Sequence, residues 1–118
     1  MSEKANLGEK LDSFSEQWSP RIVASYNDND VCVVRVEGEF IWHKHDDTDD
    51  LFLVLEGQLE IELPDRVIEL GPGELFVVPK GVEHRPCARH GEVKLLLMEP
   101  KETPNTGDPA TAVVKVQI

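Results

Sequence analysis

Three histidines and one aspartate have the residue types and spacing of a metal site. His43 and His45 are two positions apart, so on an extended strand both side chains leave the same face. Asp50 follows after four residues, and His84 lies in a later segment. Imidazole nitrogens together with a carboxylate suit iron, manganese, nickel, copper or zinc better than calcium or magnesium. We therefore predict that His43, His45, Asp50 and His84 bind one divalent transition-metal ion.

Neighbouring polar and aromatic residues offer weaker candidates. Asp49 is the alternative carboxylate, but it is one position out of phase with Asp50 and points away if a strand begins here. His90 stands beside Gly91 in a predicted turn and is expected to be exposed. Trp42 alternates with His43, which predicts an outward position suited to packing or an interface.

Size and composition predict one domain. The chain has 118 residues, of which 40% are apolar, enough for one core. We expect a single domain with an N-terminal arm (1–20), a barrel core (about 21–99) and a C-terminal loop with a final strand (100–118).

Charge and hydropathy narrow the classes of partner. A formal net charge of −11 opposes binding to nucleic acid. The sequence has neither a run of about 18 apolar residues nor a secretory leader, so no membrane association and a cytoplasmic location are expected. Cys32 and Cys87 lack C-x-x-C spacing and are predicted to be free, buried thiols.

The elements that must position the histidines are mostly short strands. Segment 6–18 carries Leu7, Leu11, Phe14 and Trp18 at helical spacing, which predicts a short helix or an irregular arm. Later segments have strand character and are separated by turn-forming residues, which favours an antiparallel sandwich or barrel. The predicted strands are 21–26, 31–37, 40–43, 50–56, 59–63, 66–70, 74–78, 83–88, 92–99 and 113–117.

Parity along these strands also predicts what surrounds the ion. If the ligands point inward, one wall of a small apolar pocket shares their face and a second wall lies on the neighbouring strands. The residues expected to line it are Ile41, Phe52, Val54, Phe76 and Val78.

Turn residues stand at fixed distances from the candidate ligands, and the whole pattern resembles the cupin superfamily. The first cupin motif is G(x)5HxH(x)3-4E(x)6G and the second is G(x)5PxG(x)2H(x)3N. Segments 42–49 and 105–108 are further similar to a branch of small single-domain bacterial cupins. The matching positions are His43, His45, Asp50 and Gly57 in the first motif and Gly73, Pro79, Gly81 and His84 in the second.

The resemblance implies a fold, a ligand set and an assembly. Cupins form a small antiparallel jelly-roll barrel with the metal inside, and many are homodimers. Four residues separate Gly38 from His43, where the motif has five. Ala88 stands where the family often has Asn, and Asp50 replaces the usual Glu. Asp is one methylene shorter than Glu, so three arrangements are open. Asp50 binds the ion directly after a backbone shift, binds it through water, or leaves a site of three histidines.

Three functions fit these features. The first is a metalloenzyme of dioxygenase or isomerase type that acts on a small oxygen-bearing metabolite. The second is a non-catalytic module that uses its metal to bind a small molecule. The third is a metal-free epimerase-like protein with a histidine base and a tyrosine acid. The third is disfavoured because the one tyrosine, Tyr26, lies before both motifs.

Overall fold

The computed structural model describes residues 3–118, so residues 1 and 2 of the predicted arm lie outside it. One helix precedes eight strands, which join in a single sheet with a jelly-roll arrangement, as predicted. Strand pairing does not close this sheet into a complete barrel. The elements are α1 Leu7–Asp12, β1 Arg21–Tyr26, β2 Asn29–Glu39, β3 Asp50–Glu56, β4 Leu59–Glu62, β5 Val67–Leu70, β6 Leu75–Val78, β7 Arg85–Pro100 and β8 Val116–Gln117.

The long strand β7 organises the sheet. It pairs with β2 along one edge, and with β4 and then β3 along the other. Strand β3 also pairs with β6, and β4 pairs with β5. The named pairings are antiparallel except for a two-residue parallel contact between β1 and β8. Buried apolar side chains from β2, β3, β4 and β7 form the core between these strands.

The corner between β3 and β4 depends on a glycine. Gly57 has a φ of 97°, and a Cβ at this position would lie 2.8 Å from the carbonyl oxygen of Glu92. Only glycine combines a positive φ with so close a backbone approach. The corner lets β3 and β4 follow the same edge of β7.

Most predicted strands differ from the observed ones by at most two residues at either end, but three element predictions are wrong by more than that. Segment 40–43 is not a named strand; it makes irregular backbone contacts that include an isolated bridge between His43 and His84. The two strands predicted at 83–88 and 92–99 are one strand, β7, because the pairing with β2 absorbs the expected turn as a bulge between Ala88 and Val93. The last strand begins at Val116, not at residue 113.

The helix is also shorter than its apolar stripe, because the arm docks by hydrogen bonds instead of continued helix. The Arg35 guanidinium donates to the carbonyl oxygens of Leu11 and Phe14 and binds the Glu92 carboxylate at 2.7 Å. Beyond the helix, the Trp18 backbone N–H donates to Arg35 at 2.8 Å. These contacts hold Trp18 against β2.

The cysteine prediction is confirmed. Cys32 and Cys87 are both buried and free. Burial raises the pKa of the Cys32 thiol to about 12, so this side chain is a packing group instead of a nucleophile. In residues 3–118, no helix has the length and apolarity needed to cross a bilayer.

Candidate metal centre

The structure brings the four predicted ligands together. One nitrogen or oxygen from each of His43, His45, Asp50 and His84 lies within 4.8 Å of the others. All four residues are at most 8% exposed. The Asp50 Oδ2 atom lies 3.0 Å from His84 Nε2 and 3.3 Å from His45 Nε2. We refer to these four residues as the His–Asp cluster.

Backbone contacts between the two motifs place the cluster. His43 and His84 exchange reciprocal N–H···O=C hydrogen bonds of 3.0 and 2.9 Å. The Gly81 N–H donates to the His45 carbonyl at 2.8 Å. Although segment 43–45 is not a strand, its alternation persists, because His43 and His45 are buried while Lys44 is exposed. Asp50 begins β3, whose inward face continues with Phe52 and Val54.

Two histidines are fixed in one tautomer. The Nδ1 atoms of His43 and His84 lie 2.9 and 3.0 Å from the carbonyl oxygens of Ile41 and Val82. A carbonyl only accepts hydrogen bonds, so each Nδ1 carries a proton, and each ring, when neutral, presents a lone pair on Nε2. The His84 lone pair then faces an Asp50 carboxylate oxygen at 3.0 Å. Two acceptors in buried contact require a cation between them, either a proton or a metal ion.

The electrostatics of the cluster differ from one ligand to the next. Burial lowers the pKa of His43 to about 4. Burial also disfavours charge on His45, but its hydrogen bond with Asp50 and the negative charges of Asp50 and Glu99 together outweigh this and raise the His45 pKa. For Asp50, burial opposes ionisation, yet the contacts with His45 and His84 lower its pKa. The cluster therefore combines a carboxylate with one imidazole that favours positive charge, His45, and one that disfavours it, His43.

A small cavity adjoins the cluster. Its volume is about 40 Å³, which corresponds to roughly three water molecules. Its walls are mostly apolar, and the Trp18 ring stacks on Phe40 with centroids 4.6 Å apart. The lining residues fall into an apolar group and a polar group, and the polar ones are His43, His45, Asp50, Glu99 and Asn105.

Three weaker candidates, His90, Trp42 and Asp49, lie outside the His–Asp cluster. His90 is exposed, as expected, and Trp42 is 44% exposed and lies beside Arg85. Asp49 is exposed and accepts a hydrogen bond from the Lys80 N–H, outside the cluster.

The predicted lining is partly wrong. Ile41 does not share the interior but is 50% exposed, because the irregular segment before His43 breaks the assumed alternation. Phe52 lines the cavity. Val54 and Val78 belong to the buried core, with Phe76 packed against it. Tyr26 is 64% exposed and is not among the cavity residues, which removes the tyrosine acid of the epimerase-like interpretation.

Most of the cavity lining was not predicted from the sequence, and three of these residues bear on function: Glu99, Trp18 and Asn105. Glu99 is 4% exposed and lies on the same inward face of β7 as Leu95 and Leu97, so strand alternation could have found it. Trp18 and Asn105 come from the two chain ends. The Asn105 side chain accepts from the Val113 N–H and lies 3.5 Å from the Trp18 carbonyl oxygen. No local pattern reveals contacts over such separations.

Comparison with known proteins gives a consistent family. The Cupin domain family model matches residues 30–99. The uncharacterized protein YdbB of Bacillus subtilis is 30% identical over 109 residues, covering 84% of this chain and 96% of that protein. A cupin-2 domain containing protein from Shewanella frigidimarina is 47% identical with a TM-score of 0.80, covering 82% of this chain and 94% of its own.

Two further structures extend the comparison. Protein NMB1881 from Neisseria meningitidis is 30% identical, has a TM-score of 0.76, and is matched over 84% of this chain and 100% of its own. Hydroquinone 1,2-dioxygenase from a Sphingomonas species has a TM-score of 0.70 over 92% of this chain and 75% of its own, at 16% identity. The latter likeness shows the fold alone.

Proposed function

This chain belongs to the cupin family, and we propose that its His–Asp cluster binds one divalent transition-metal ion for catalysis on a small oxygen-bearing metabolite. The observation that carries the proposal is the facing pair of acceptors. The His84 Nε2 atom and the Asp50 Oδ2 atom lie 3.0 Å apart in a buried site, with the Nδ1 side of His84 already bonded to a carbonyl. A shared cation satisfies both acceptors and the remaining imidazoles together.

The donor set fits a transition metal. Three imidazole nitrogens and one carboxylate oxygen form a mixed set of the kind that iron, manganese, nickel, copper and zinc accept. Four protein ligands leave positions open in a five- or six-coordinate site for water or substrate. A bound ion of this kind supplies Lewis acidity, or dioxygen chemistry if it is redox-active. The surrounding residues orient the ligands and limit water to a small apolar cavity.

Asp50 is placed to take the carboxylate role directly. It starts β3 with its side chain inward, and its Oδ2 lies close to two imidazole nitrogens. The shorter Asp side chain is therefore matched by the position of its backbone at the strand end. This supports direct ligation over the water-bridged and three-histidine alternatives.

Cavity size favours small substrates. A cavity of about 150 Å³ accommodates benzene, whereas this one measures about 40 Å³. A phenol is therefore too large for the cavity in this conformation. The metalloenzyme proposal accordingly concerns small oxygen-bearing molecules ahead of aromatic ones, in either a dioxygenase or an isomerase reaction.

Metal analysis followed by activity measurements tests the proposal. The protein is purified without chelators or an affinity metal, and its metal content is measured by elemental analysis; about one equivalent is expected. Anaerobic reconstitution with iron(II) then precedes oxygen-uptake assays over small diketones, thiols and phenols, with product analysis to detect isomerisation. Failure to bind any of the five metals would overturn the proposal.

The alternative function is a non-catalytic binding module. It is favoured by the tight cavity and by the absence, among the described lining residues, of a lysine or tyrosine acid. Thermal stabilisation of the metal-loaded protein by a metabolite, with no turnover or oxygen uptake, supports this module and rejects the enzyme. Turnover that His84→Ala abolishes supports the enzyme.

A further inference from the structure

Glu99 is a buried acid at the cavity that the metal proposal leaves without a role. It lies near the end of β7, is 4% exposed, and lines the cavity together with Asp50 and His45. Glu99 and Asp50 are the two carboxylates among the described lining residues. An acid on an otherwise apolar strand face requires a compensating partner.

That partner comes from the C-terminal segment. Lys115 Nζ lies 3.2 Å from Glu99 Oε1 and 2.8 Å from Asp30 Oδ2. Asp30 and Glu99 are directly opposite each other on β2 and β7, where like charges repel. We call Asp30, Glu99 and Lys115 the ion triad. Within the described chain, Glu99 is the one triad member that lines the cavity.

One oxygen of Glu99 is available to a ligand. Lys115 contacts Oε1, whereas no hydrogen bond to Oε2 is formed within residues 3–118. The Oε2 atom is also not fully buried. Within residues 3–118, the one fully buried side-chain polar atom without a hydrogen-bond partner is Arg21 Nε. Because Glu99 lines the cavity, a carboxylate oxygen without a protein donor is available there to accept a hydrogen bond from a ligand.

The charges around the cavity indicate which ligand suits it. Apart from the exposed Lys101, which lies 3.6 Å from Asp30, the ion triad carries one net negative charge and Asp50 carries another, so a divalent ion brings the sum of these buried charges to zero. The described lining includes no lysine or arginine. A ligand carboxylate or phosphate would therefore add charge without a protein cation beside it, whereas a hydroxyl or amide N–H matches Glu99.

We infer that Glu99 determines ligand specificity by accepting a hydrogen bond from a small neutral molecule whose carbonyl or hydroxyl oxygen faces the His–Asp cluster. The substrate class is neutral α-hydroxycarbonyl compounds and similar donors, with anions disfavoured. The cavity of about 40 Å³ restricts the ligand to a molecule of a few non-hydrogen atoms. The inference rests on the proposed metal function.

Two isosteric probes test this role. Glycolamide and glycolate have the same heavy-atom count and can both approach a metal through two oxygens, but glycolate is an anion and lacks the amide donor. Their dissociation constants are measured on the cobalt(II)-loaded protein at pH 8 from changes in the visible spectrum. The quantity compared is the ratio of the glycolate constant to the glycolamide constant.

Matched variants separate specificity from structure. Glu99→Gln and Asp30→Asn each remove one charge from the ion triad and leave Lys115 one carboxylate, but only Glu99 lines the cavity. Glu99→Gln is expected to lower the ratio at least about tenfold, because a charge-assisted hydrogen bond is lost. Asp30→Asn is expected to change it less than about threefold. Equal effects of the two variants would overturn the inference.

The outcomes also distinguish this inference from the metal proposal. Failure of the wild-type protein to bind cobalt(II) overturns both. One equivalent of bound cobalt with a ratio unmoved by Glu99→Gln overturns the specificity role alone. If Glu99→Gln does not fold, Glu99→Asp keeps the charge and withdraws the carboxylate by one methylene. It must then weaken glycolamide binding, and a wild-type affinity would refute the inference.

Discussion

The molecule contains two buried polar clusters, the ion triad and the His–Asp cluster. Their negative charges are compensated in different ways. The ion triad contains its own cation, because Lys115 lies within 3.2 Å of both carboxylates. The His–Asp cluster contains acceptors that face each other and no lysine or arginine among its four members. A closed cluster stabilises the fold, whereas an open one has a place for an ion. The difference lies in where each cluster gets its positive charge.

Removing the internal cation should have the largest effect. In Lys115→Met, Asp30 and Glu99 remain buried and opposite each other across β2 and β7. Breaking a buried ion pair on one side costs about 3–5 kcal/mol, so the free energy of unfolding should fall by that amount in urea denaturation. Lys101→Met is the control, because Lys101 is exposed and lies 3.6 Å from Asp30; its cost should be under about 1 kcal/mol. Equal losses would contradict the triad.

Opening the other cluster should affect metal binding before stability. His84→Ala removes one ligand and the partner of Asp50, and metal affinity should fall by more than about 100-fold, the loss typical when even a supporting residue of a metal ligand is removed. Metal content after dialysis measures this. His45→Ala should behave similarly. The exposed His90 gives the control, since His90→Ala should keep full metal content. Retention of the ion in His84→Ala would rule out this ligand set.

A glycine on the C-terminal loop packs against the segment that carries two of the metal ligands. Gly107 has a φ of 78°, and a Cβ there would overlap the carbonyl oxygen of Lys44, between His43 and His45. Gly107→Ala should cost about 2 kcal/mol of stability and weaken metal binding. Gly73→Ala is matched, because Gly73 has a φ of 81° but no atom within 4 Å of the added Cβ. It should show the strain without the loss of metal.

Acid should release the ion through one histidine before another. Because the pKa of His45 is raised above its ordinary value of about 6.5, a proton already competes with the metal above that pH and competes more strongly as the pH falls. His43, with a pKa lowered to about 4, stays neutral over that range and adds no competition. The logarithm of metal affinity should therefore fall by at least about one unit per pH unit between pH 6 and 5. Constant affinity from pH 8 to 5 would argue against histidine ligation.

The smallest effect is expected outside both clusters. Trp42 is 44% exposed, and its ring lies 5.6 Å from the Arg85 guanidinium. Trp42→Ala should cost under about 1 kcal/mol, the value of an exposed cation–π contact, and leave the ion bound. Loss of metal in this variant would show that the segment before His43 depends on Trp42 for its conformation.

The four candidate ligands and the all-β class could be predicted without the structure. Both follow from local physics, since side-chain alternation relates His43 to His45 and Asp50 to Phe52, and glycine or proline marks the turns at fixed distances. Periodicity also placed β1 and β3 at their observed bounds, residues 21–26 and 50–56. Alternation failed at Ile41, where the chain leaves regular strand geometry.

Only the tertiary structure decided how the cavity is completed and which charges it holds. Trp18 and Asn105 meet across 87 positions, and Lys115 reaches Asp30 across 85. Such contacts depend on how the two chain ends fold over the sheet, which no short-range pattern specifies. The tautomers of His43 and His84 likewise follow from the carbonyl oxygens that the folded backbone places beside each Nδ1 atom. Local periodicity therefore selected the ligands, and long-range packing made them face one another.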